Sequence, residues 1–204
     1  MVTIPELADR IDAVVIGTSA GGVDALSALL PALPGGLLAA VFVVLHVPRD
    51  RPSLLTEIFR PRCAVAVREA EDKDDVEPGT VYFAPPDYHL LIEKGPRLAL
   101  SVDDLVHFSR PSIDVLFESA ADVYGKRLLG MILSGANEDG AAGLAAVHRA
   151  GGVTIVQDPE TAQVPFMVKA ALARTPVDFV LTLDAIVELL PTLDRKYRRP
   201  LRGE

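Results

Sequence analysis

Short apolar runs alternate along this chain with segments in which apolar residues recur every three or four positions. The runs at residues 13–18, 40–46 and 127–133 predict strands that are buried on both faces. The helical spacing of residues 22–30 and 112–123 predicts amphipathic helices. Buried strands that alternate with helices are typical of a parallel sheet covered on both faces. The pattern therefore predicts an α/β protein with a mostly parallel, doubly wound sheet and helices on both faces.

The remaining segments continue this alternation and add one smaller element. Residues 64–67, 80–84, 89–93 and 97–101 are short and separated by turn residues, which predicts a small antiparallel β insertion. Further helices and strands are predicted at residues 52–59, 139–150, 153–157, 165–174, 178–183 and 184–193. No internal repeat, low-complexity segment or linker divides the chain, so we expect residues 1–204 to form a single domain.

Composition narrows the class of protein without identifying it. The chain has 204 residues, and 50% of them are hydrophobic, which suffices for one sizeable core. Its net charge of −8 argues against a protein that must neutralise many nucleic-acid phosphates, and the basic run at 195–202 is interpreted as a solvated tail. No apolar run is long enough to cross a bilayer, and the acidic N-terminus lacks the features of a secretory signal. The single cysteine, Cys63, fits a reducing compartment as a buried structural thiol, so we expect a cytoplasmic protein without membrane insertion or a nucleic-acid partner.

A glycine-flanked serine lies where the first predicted strand turns into the first helix. Residues 17–21 read Gly-Thr-Ser-Ala-Gly, a G-x-S-x-G spacing that lifts the hydroxyl of Ser19 clear of the sheet. A glycine-rich loop that binds a phosphate at a helix N-terminus explains the same residues. This segment alone leaves both interpretations open.

Two further strand ends carry residues with catalytic potential. The strand at 40–46 ends in His46, and the strand at 127–133 leads into a loop that contains Asp139. Because the carboxyl ends of parallel strands lie at one edge of a sheet, Ser19, His46 and Asp139 are expected to meet there. A serine activated by a histidine that an aspartate orients is suited to acyl transfer. Taken singly, His46 could be an ordinary strand-end residue and Asp139 an ordinary helix N-cap.

The order of these residues along the chain is Ser, His, Asp, whereas an α/β-hydrolase has Ser, Asp or Glu, His. An ordinary lipase-type esterase is therefore excluded. His107 lies in a loop and could line a cleft, and His89, at the start of the segment at 89–93, could do likewise. No cluster of histidine, cysteine or acidic residues has metal-site spacing, and we expect neither a metal nor a cofactor.

Several segments resemble the catalytic domain of the CheB-type chemotaxis methylesterases, in the order that family has them: residues 17–22, 45–47, 78–90, 110–117, 134–144 and 150–158. The resemblance implies a protein-glutamate methylesterase that hydrolyses glutamate methyl esters on the helical cytoplasmic bundle of chemoreceptors, and that deamidates receptor glutamines in many members. It assigns the nucleophile to Ser19, the general base to His46 and the orienting acid to Asp139. The oxyanion and substrate side of the site then consists of the serine turn and the acid loop, through Ala20, Gly21, Gly135 and Ala136.

The chain departs from the family pattern at a few positions. Ala20 stands where the family usually has threonine, Ala136 where it has methionine, and Val168 where it has proline. The first predicted strand begins at residue 13, which leaves no room before it for the family's receiver domain and predicts a stand-alone or trimmed catalytic domain. These departures keep open a catalytically weakened interaction or adaptor module. A nucleotide site at the glycine turn would need an acidic residue after the second strand, where the chain has His46 and Val47.

Overall fold

A central parallel sheet organises the fold. The computed structural model describes residues 11–194. The strands are β1 (Ala13–Thr18), β2 (Ala40–Leu45), β3 (Ala66–Glu69), β4 (Thr80–Phe83), β5 (His89–Glu93), β6 (Arg97–Ser101), β7 (Leu128–Ile132), β8 (Val153–Gln157) and β9 (Phe179–Leu181). The helices are α1 (Gly22–Leu29), α2 (Leu55–Phe59), α3 (Ile113–Tyr124), α4 (Ala141–Arg149), α5 (Phe166–Arg174) and α6 (Leu183–Leu189). Seven strands form the sheet in the order β3-β4-β2-β1-β7-β8-β9, and every pair is parallel.

The two faces of the sheet are covered by different helices. Val14 and Ile16 of β1 pack in the cluster that includes α1 and α6, whereas Ala13 and Val15 pack in the cluster that includes α3, α4 and α5. Every residue of β1, β2 and β7 is buried, because these strands are covered on both faces and flanked on both edges. The predicted doubly wound parallel sheet is confirmed.

The predicted antiparallel insertion is smaller than the sequence indicates. Among the strands within residues 11–194, only β5 and β6 pair antiparallel. This hairpin packs on α3, where the N–H of Ile92 donates to Ser119 Oγ at 3.1 Å. The segments at 64–67 and 80–84 are instead β3 and β4 of the parallel sheet. Their assignment to the insertion was wrong because segments this short give no sequence signal for the direction of their partner strand.

A few local predictions also change. The second helix begins at Leu55 and not near Pro52, because the Ser53 hydroxyl accepts the N–H of Leu55 at 3.3 Å. Cys63 is only half-buried and follows a 3₁₀ turn; burial raises the pKa of its thiol. None of the helices within residues 11–194 is long and apolar enough to span a bilayer. The basic run at 195–202 lies outside the described residues, and the single-domain extent of the chain stays a prediction.

Candidate active site

The candidate site lies at the carboxyl edge of β1, β2 and β7, the three central strands. Thr18 pairs with Leu45, so the next residues, Ser19 and His46, leave neighbouring strands side by side. The His46 N–H donates to the Thr18 carbonyl at 3.2 Å, and the Ser19 N–H donates to the Ser134 carbonyl at 3.0 Å. Neighbouring strands are about 4.8 Å apart, so this register places the serine and the histidine in adjacent positions.

The serine turn depends on a glycine. Gly21 has φ +80°, and a Cβ there would lie 2.5 Å from Gln163 Oε1 and 2.8 Å from Ser134 Oγ. Only glycine adopts this backbone conformation without strain and leaves room for both side chains. Ser19 is half-buried and Ala20 is exposed. Among the described residues the N–H groups of Ala20 and Gly21 have no hydrogen-bond partner, so they are free donors at the N-terminus of α1.

His46 is bound to a fully buried carboxylate. Its Nε2 lies 2.9 Å from Asp139 Oδ2, and the histidine side chain is 12% exposed. The same carboxylate accepts the Ser112 hydroxyl at 2.8 Å and the N–H groups of Ile113 and Asp114 at 2.7 and 3.0 Å. Burial raises the pKa of Asp139, but the hydrogen bonds from His46 and from the start of α3 outweigh this effect. The net pKa is below the ordinary value, so the carboxylate stays ionised beside the imidazole.

Asp139 is not the N-cap of the following helix. That position is Gly140, at φ +97°, and Asp114 Oδ1 accepts the N–H groups of Gly140 and Gly143 at 2.9 and 2.6 Å. The two helices therefore exchange caps. Asp139, in the loop before α4, caps the start of α3, and Asp114, in the first turn of α3, caps the start of α4. Burial raises the pKa of Asp114, and the donors from Gly143 and Gly140 offset this only in part. The exchange leaves Asp139 facing His46.

His89 lies behind this network and does not line a cleft. It is 1% exposed, and its Nδ1 accepts the Ser112 N–H at 3.1 Å. Its Nε2 lies 3.0 Å from the carbonyl oxygen of Asp104, to which it donates. A carbonyl only accepts and an amide only donates, so these partners select the neutral imidazole with its hydrogen on Nε2. His89 therefore holds Ser112, which in turn holds Asp139.

The acid loop is tied to the serine turn through Ser134. The Ser134 hydroxyl donates to the Ala20 carbonyl at 2.7 Å and accepts the Val164 N–H at 2.8 Å. Gly135 donates its N–H to the Val164 carbonyl at 3.0 Å, so this donor is already engaged. Ala136 is exposed, and its N–H has no partner within residues 11–194. The loop thus presents a backbone donor at Ala136 rather than at Gly135.

His107 brings a third side chain to the two buried aspartates. Its Nε2 lies 3.3 Å from Asp114 Oδ2 and its Nδ1 lies 3.4 Å from Glu138 Oε1. Ligand atoms of His107, Asp114 and Asp139 all lie within 4.8 Å of one another, a spacing that would suit a single metal ion. Both oxygens of Asp139 already accept N–H or O–H donors, whose hydrogens would repel a cation. The cluster is better explained as a hydrogen-bond network.

The candidate site does not coincide with a larger cavity of the described region. That cavity, of about 650 Å³, lies at the opposite, amino edge of the sheet and is lined by Ala40, Tyr124 and Arg127 among others. Burial raises the pKa of Tyr124 to about 12, so this phenol stays protonated and does not act as a base. A smaller cleft of about 160 Å³ is lined by His46, with Arg49 and Phe108 on its walls. Of the three candidate residues, His46 is the one that lines this cleft, which therefore borders the candidate site.

The remaining nitrogen of His46 is free to act on the serine. Neither Ser19 Oγ nor His46 Nδ1 makes a hydrogen bond with another residue of the described range. Since Nε2 is bound to Asp139, Nδ1 is the imidazole nitrogen left to accept a proton, and Ser19 leaves the adjacent strand. Hydrogen bonds between nucleophile and base are often long in unliganded enzymes and shorten with substrate. A serine, a histidine and a buried aspartate at one edge of an open parallel sheet are the groups that a serine-type hydrolase needs.

Comparison with known proteins identifies the family. The model of the CheB methylesterase family matches residues 14–190, so the chain belongs to the CheB methylesterase family. A Leptospira interrogans protein, provisionally named protein-glutamate methylesterase/protein-glutamine glutaminase, is 45% identical over 184 residues, 90% of this chain and 95% of that protein. A Symbiobacterium thermophilum protein-glutamate methylesterase/protein-glutamine glutaminase is 39% identical over 87% of this chain and 49% of its own length. The crystal structure of the Thermotoga maritima CheB methylesterase catalytic domain has a TM-score of 0.82 and 33% identity, over 88% of this chain and 98% of that one.

Proposed function

We propose that this protein is a protein-glutamate methylesterase, a carboxylic ester hydrolase in which Ser19, His46 and Asp139 act as one unit. The observation that carries the proposal is the 2.9 Å contact of His46 Nε2 with buried Asp139, beside the strand end that presents Ser19. Membership of the CheB methylesterase family supports the reaction, and the names of its relatives support the substrate.

In the first half of the proposed reaction, Ser19 Oγ attacks the ester carbonyl of a methylated glutamate while His46 Nδ1 takes the hydroxyl proton. Asp139 stabilises the imidazolium through Nε2, and the N–H groups of Ala20 and Gly21 stabilise the oxyanion at the N-terminus of α1. The exposed N–H of Ala136 lies on the acid-loop side as a further donor. Collapse of the tetrahedral intermediate transfers the Nδ1 proton to the departing methoxide, which leaves as methanol.

The second half regenerates the serine. A water molecule attacks the glutamyl ester of Ser19, and His46 Nδ1 accepts its proton and then returns it to the serine oxygen. The products are the free enzyme and a glutamic acid side chain, which releases its proton to water, so atoms and charge balance. The same steps applied to a glutamine side chain release ammonia in place of methanol, which supports the second activity that the relatives' names carry.

The substrate that we propose is the helical cytoplasmic bundle of a methylated chemoreceptor or a similar signalling protein, and the proposed location is therefore the cytoplasm. A second candidate function is a non-catalytic adaptor that keeps the fold and binds such a bundle. The small side chains of Ala20 and Ala136, both exposed at the site, keep this alternative in view.

A serine-directed phosphonate probe separates the two functions. An activated Ser19 is expected to be labelled in the native protein and in Ser27→Ala, a matched control on α1, but not in Ser19→Ala. Labelling of Ser19 should be accompanied by methanol release from methylated receptor fragments. A protein that binds such fragments but shows neither labelling nor methanol release would be the adaptor.

A further inference from the structure

A tight turn beside the cleft holds two bulky residues in an unusual backbone conformation. Val106 and Ser109 exchange two backbone hydrogen bonds, of 3.1 and 2.8 Å, and enclose His107 and Phe108 at φ +48° and +62°. Two-residue hairpin turns of this type usually carry Asn-Gly, because positive φ is unfavourable for residues with large side chains. The local sequence therefore does not explain this turn.

Contacts to the acid loop hold the turn in place. His107 lies between Asp114 and Glu138, at 3.3 and 3.4 Å. The Asn137 side-chain amide lies 3.5 Å from Ser109 Oγ. Because His107 faces this loop, the next residue, Phe108, is presented away from it.

Phe108 is displayed to solvent at the rim of the active site. Its exposure of 95% is the highest among the large hydrophobic residues of the described range. It borders the same cleft as His46, with Pro48 and Arg49 on another wall. An aromatic ring exposed to water beside a candidate reaction centre is typical of a contact that becomes buried on binding.

Arg49 brings a positive charge to this rim. Asp87, its nearest acidic neighbour, is 3.6 Å away and already accepts two hydrogen bonds from Arg110, at 2.8 and 3.1 Å. Arg110 therefore neutralises most of the Asp87 charge. The Arg49 side chain, 47% exposed, is left to interact with a carboxylate of another molecule.

We propose that Phe108 is a specificity-determining contact that packs on the protein surface around the methylated glutamate, with Arg49 pairing an acidic residue of the same segment. The inference rests on the proposed function: a glutamyl ester that reaches Ser19 brings its own protein surface over the rim of the cleft. The occupant is therefore an acidic protein segment with an apolar side chain near the modified glutamate. A small free ester lacks this surface and gains nothing from Phe108.

The test compares two substrates. For Phe108→Ala we expect KM for a methylated receptor fragment to rise about tenfold, with kcat within threefold, since truncation of such contacts commonly has effects of this size. Hydrolysis of p-nitrophenyl acetate should change threefold or less. Phe108→Leu should restore most of the affinity for the fragment, because it keeps an apolar side chain. Leu38→Ala, a partly exposed apolar residue at the amino edge of the sheet, is the matched control and should match the native enzyme.

Equal losses on both substrates would overturn the proposal, because they would mean that Phe108 supports the site itself. An unchanged KM for the fragment would overturn it as well. Binding of the fragment to Ser19→Ala, with and without Phe108→Ala, measures the contact without turnover. If the native enzyme releases no methanol but Phe108→Ala weakens this binding, the proposed function fails and the contact stands.

Discussion

Asp139 is held by four hydrogen bonds, and only one of them comes from His46. A carboxylate that is fully buried stays charged only when donors replace the lost water. Here the donors are the Ser112 hydroxyl and two N–H groups at the start of α3, where the helix dipole also favours a negative charge. Asp139 is therefore oriented mainly by α3, and His46 binds a carboxylate that is already in place.

The residue behind this arrangement, His89, allows a test with two near-isosteric changes. His89→Asn keeps an acceptor close to the position of Nδ1, whereas His89→Gln places its amide close to that of Nε2. We expect His89→Gln to leave the Ser112 N–H unpaired, to lower the free energy of unfolding by about 2 kcal/mol and to reduce kcat several-fold. His89→Asn should retain most of the native unfolding free energy and most of the native kcat. Urea unfolding and methanol release measure the two effects, and equal behaviour of the variants would contradict the assigned role.

Some residues of this network could be predicted from the sequence and others could not. Ser19, His46 and Asp139 could be proposed together because each follows a recognisable strand, and strand ends share an edge. Ser112 was predicted only as the first residue of the helix at 112–123, which it caps by accepting the Val115 N–H. Its bond to Asp139 joins positions 27 residues apart. No local pattern signals such a contact. His89 was expected to line a cleft because a histidine at the start of a short strand carries no sign of its burial.

At the scale of elements, the site depends on how α3 and α4 meet. Asp114 caps α4 from within α3, and Asp139, which lies just before α4, caps α3. An aspartate followed by glycine before a helix fits an N-cap equally well, so the sequence left the role of Asp139 open. Only the packing of the two helices decides it. Strands β3 and β4 were misplaced for a similar reason, since their partners are chosen by tertiary contacts.

The exchange of caps predicts distinct effects for two substitutions of Asp114. Asp114→Ala leaves the N–H groups of Gly140 and Gly143 without their acceptor, and we expect a loss of about 2 kcal/mol in unfolding free energy. Asp139 directly precedes Gly140, so a displaced α4 would also displace this carboxylate from His46, and we expect kcat to fall. Asp114→Asn keeps an acceptor oxygen, so its unfolding free energy and its kcat should both fall less. Urea unfolding of the two variants checks this prediction. Equal unfolding free energies for Asp114→Ala and Asp114→Asn would show that the acceptor oxygen of residue 114 does not hold α4.

At the scale of the whole molecule, Asp139 couples stability to pH. The pKa of its carboxyl is lower in the folded protein than in the unfolded chain, so the unfolded state binds the proton more readily. Its contribution to stability is therefore complete above the ordinary aspartate pKa, about 3.9, and is lost as pH falls through the lower folded value. Asp114 acts in the opposite direction, because burial raises its pKa and the folded state binds that proton more readily.

A comparison of variants isolates the contribution of Asp139. Between pH 6 and pH 3, the unfolding free energy of the native protein should fall more steeply than that of Asp139→Asn, because only the native protein has this carboxylate to protonate. Asp50→Asn, an exposed loop residue, is the control and should follow the native curve. Parallel curves for the native protein and Asp139→Asn in urea unfolding would contradict the lowered pKa.

The central claim is that Ser19, His46 and Asp139 hydrolyse a glutamyl methyl ester as one unit, and methanol release from a methylated receptor fragment tests it most directly. We expect Ser19→Ala to reduce turnover by on the order of 10⁴–10⁶, with Ser27→Ala unchanged, and Ser19→Ala/Asp139→Asn to lose no more than Ser19→Ala alone, since members of such a unit are not additive. Methanol release by Ser19→Ala within tenfold of the native rate would contradict the account.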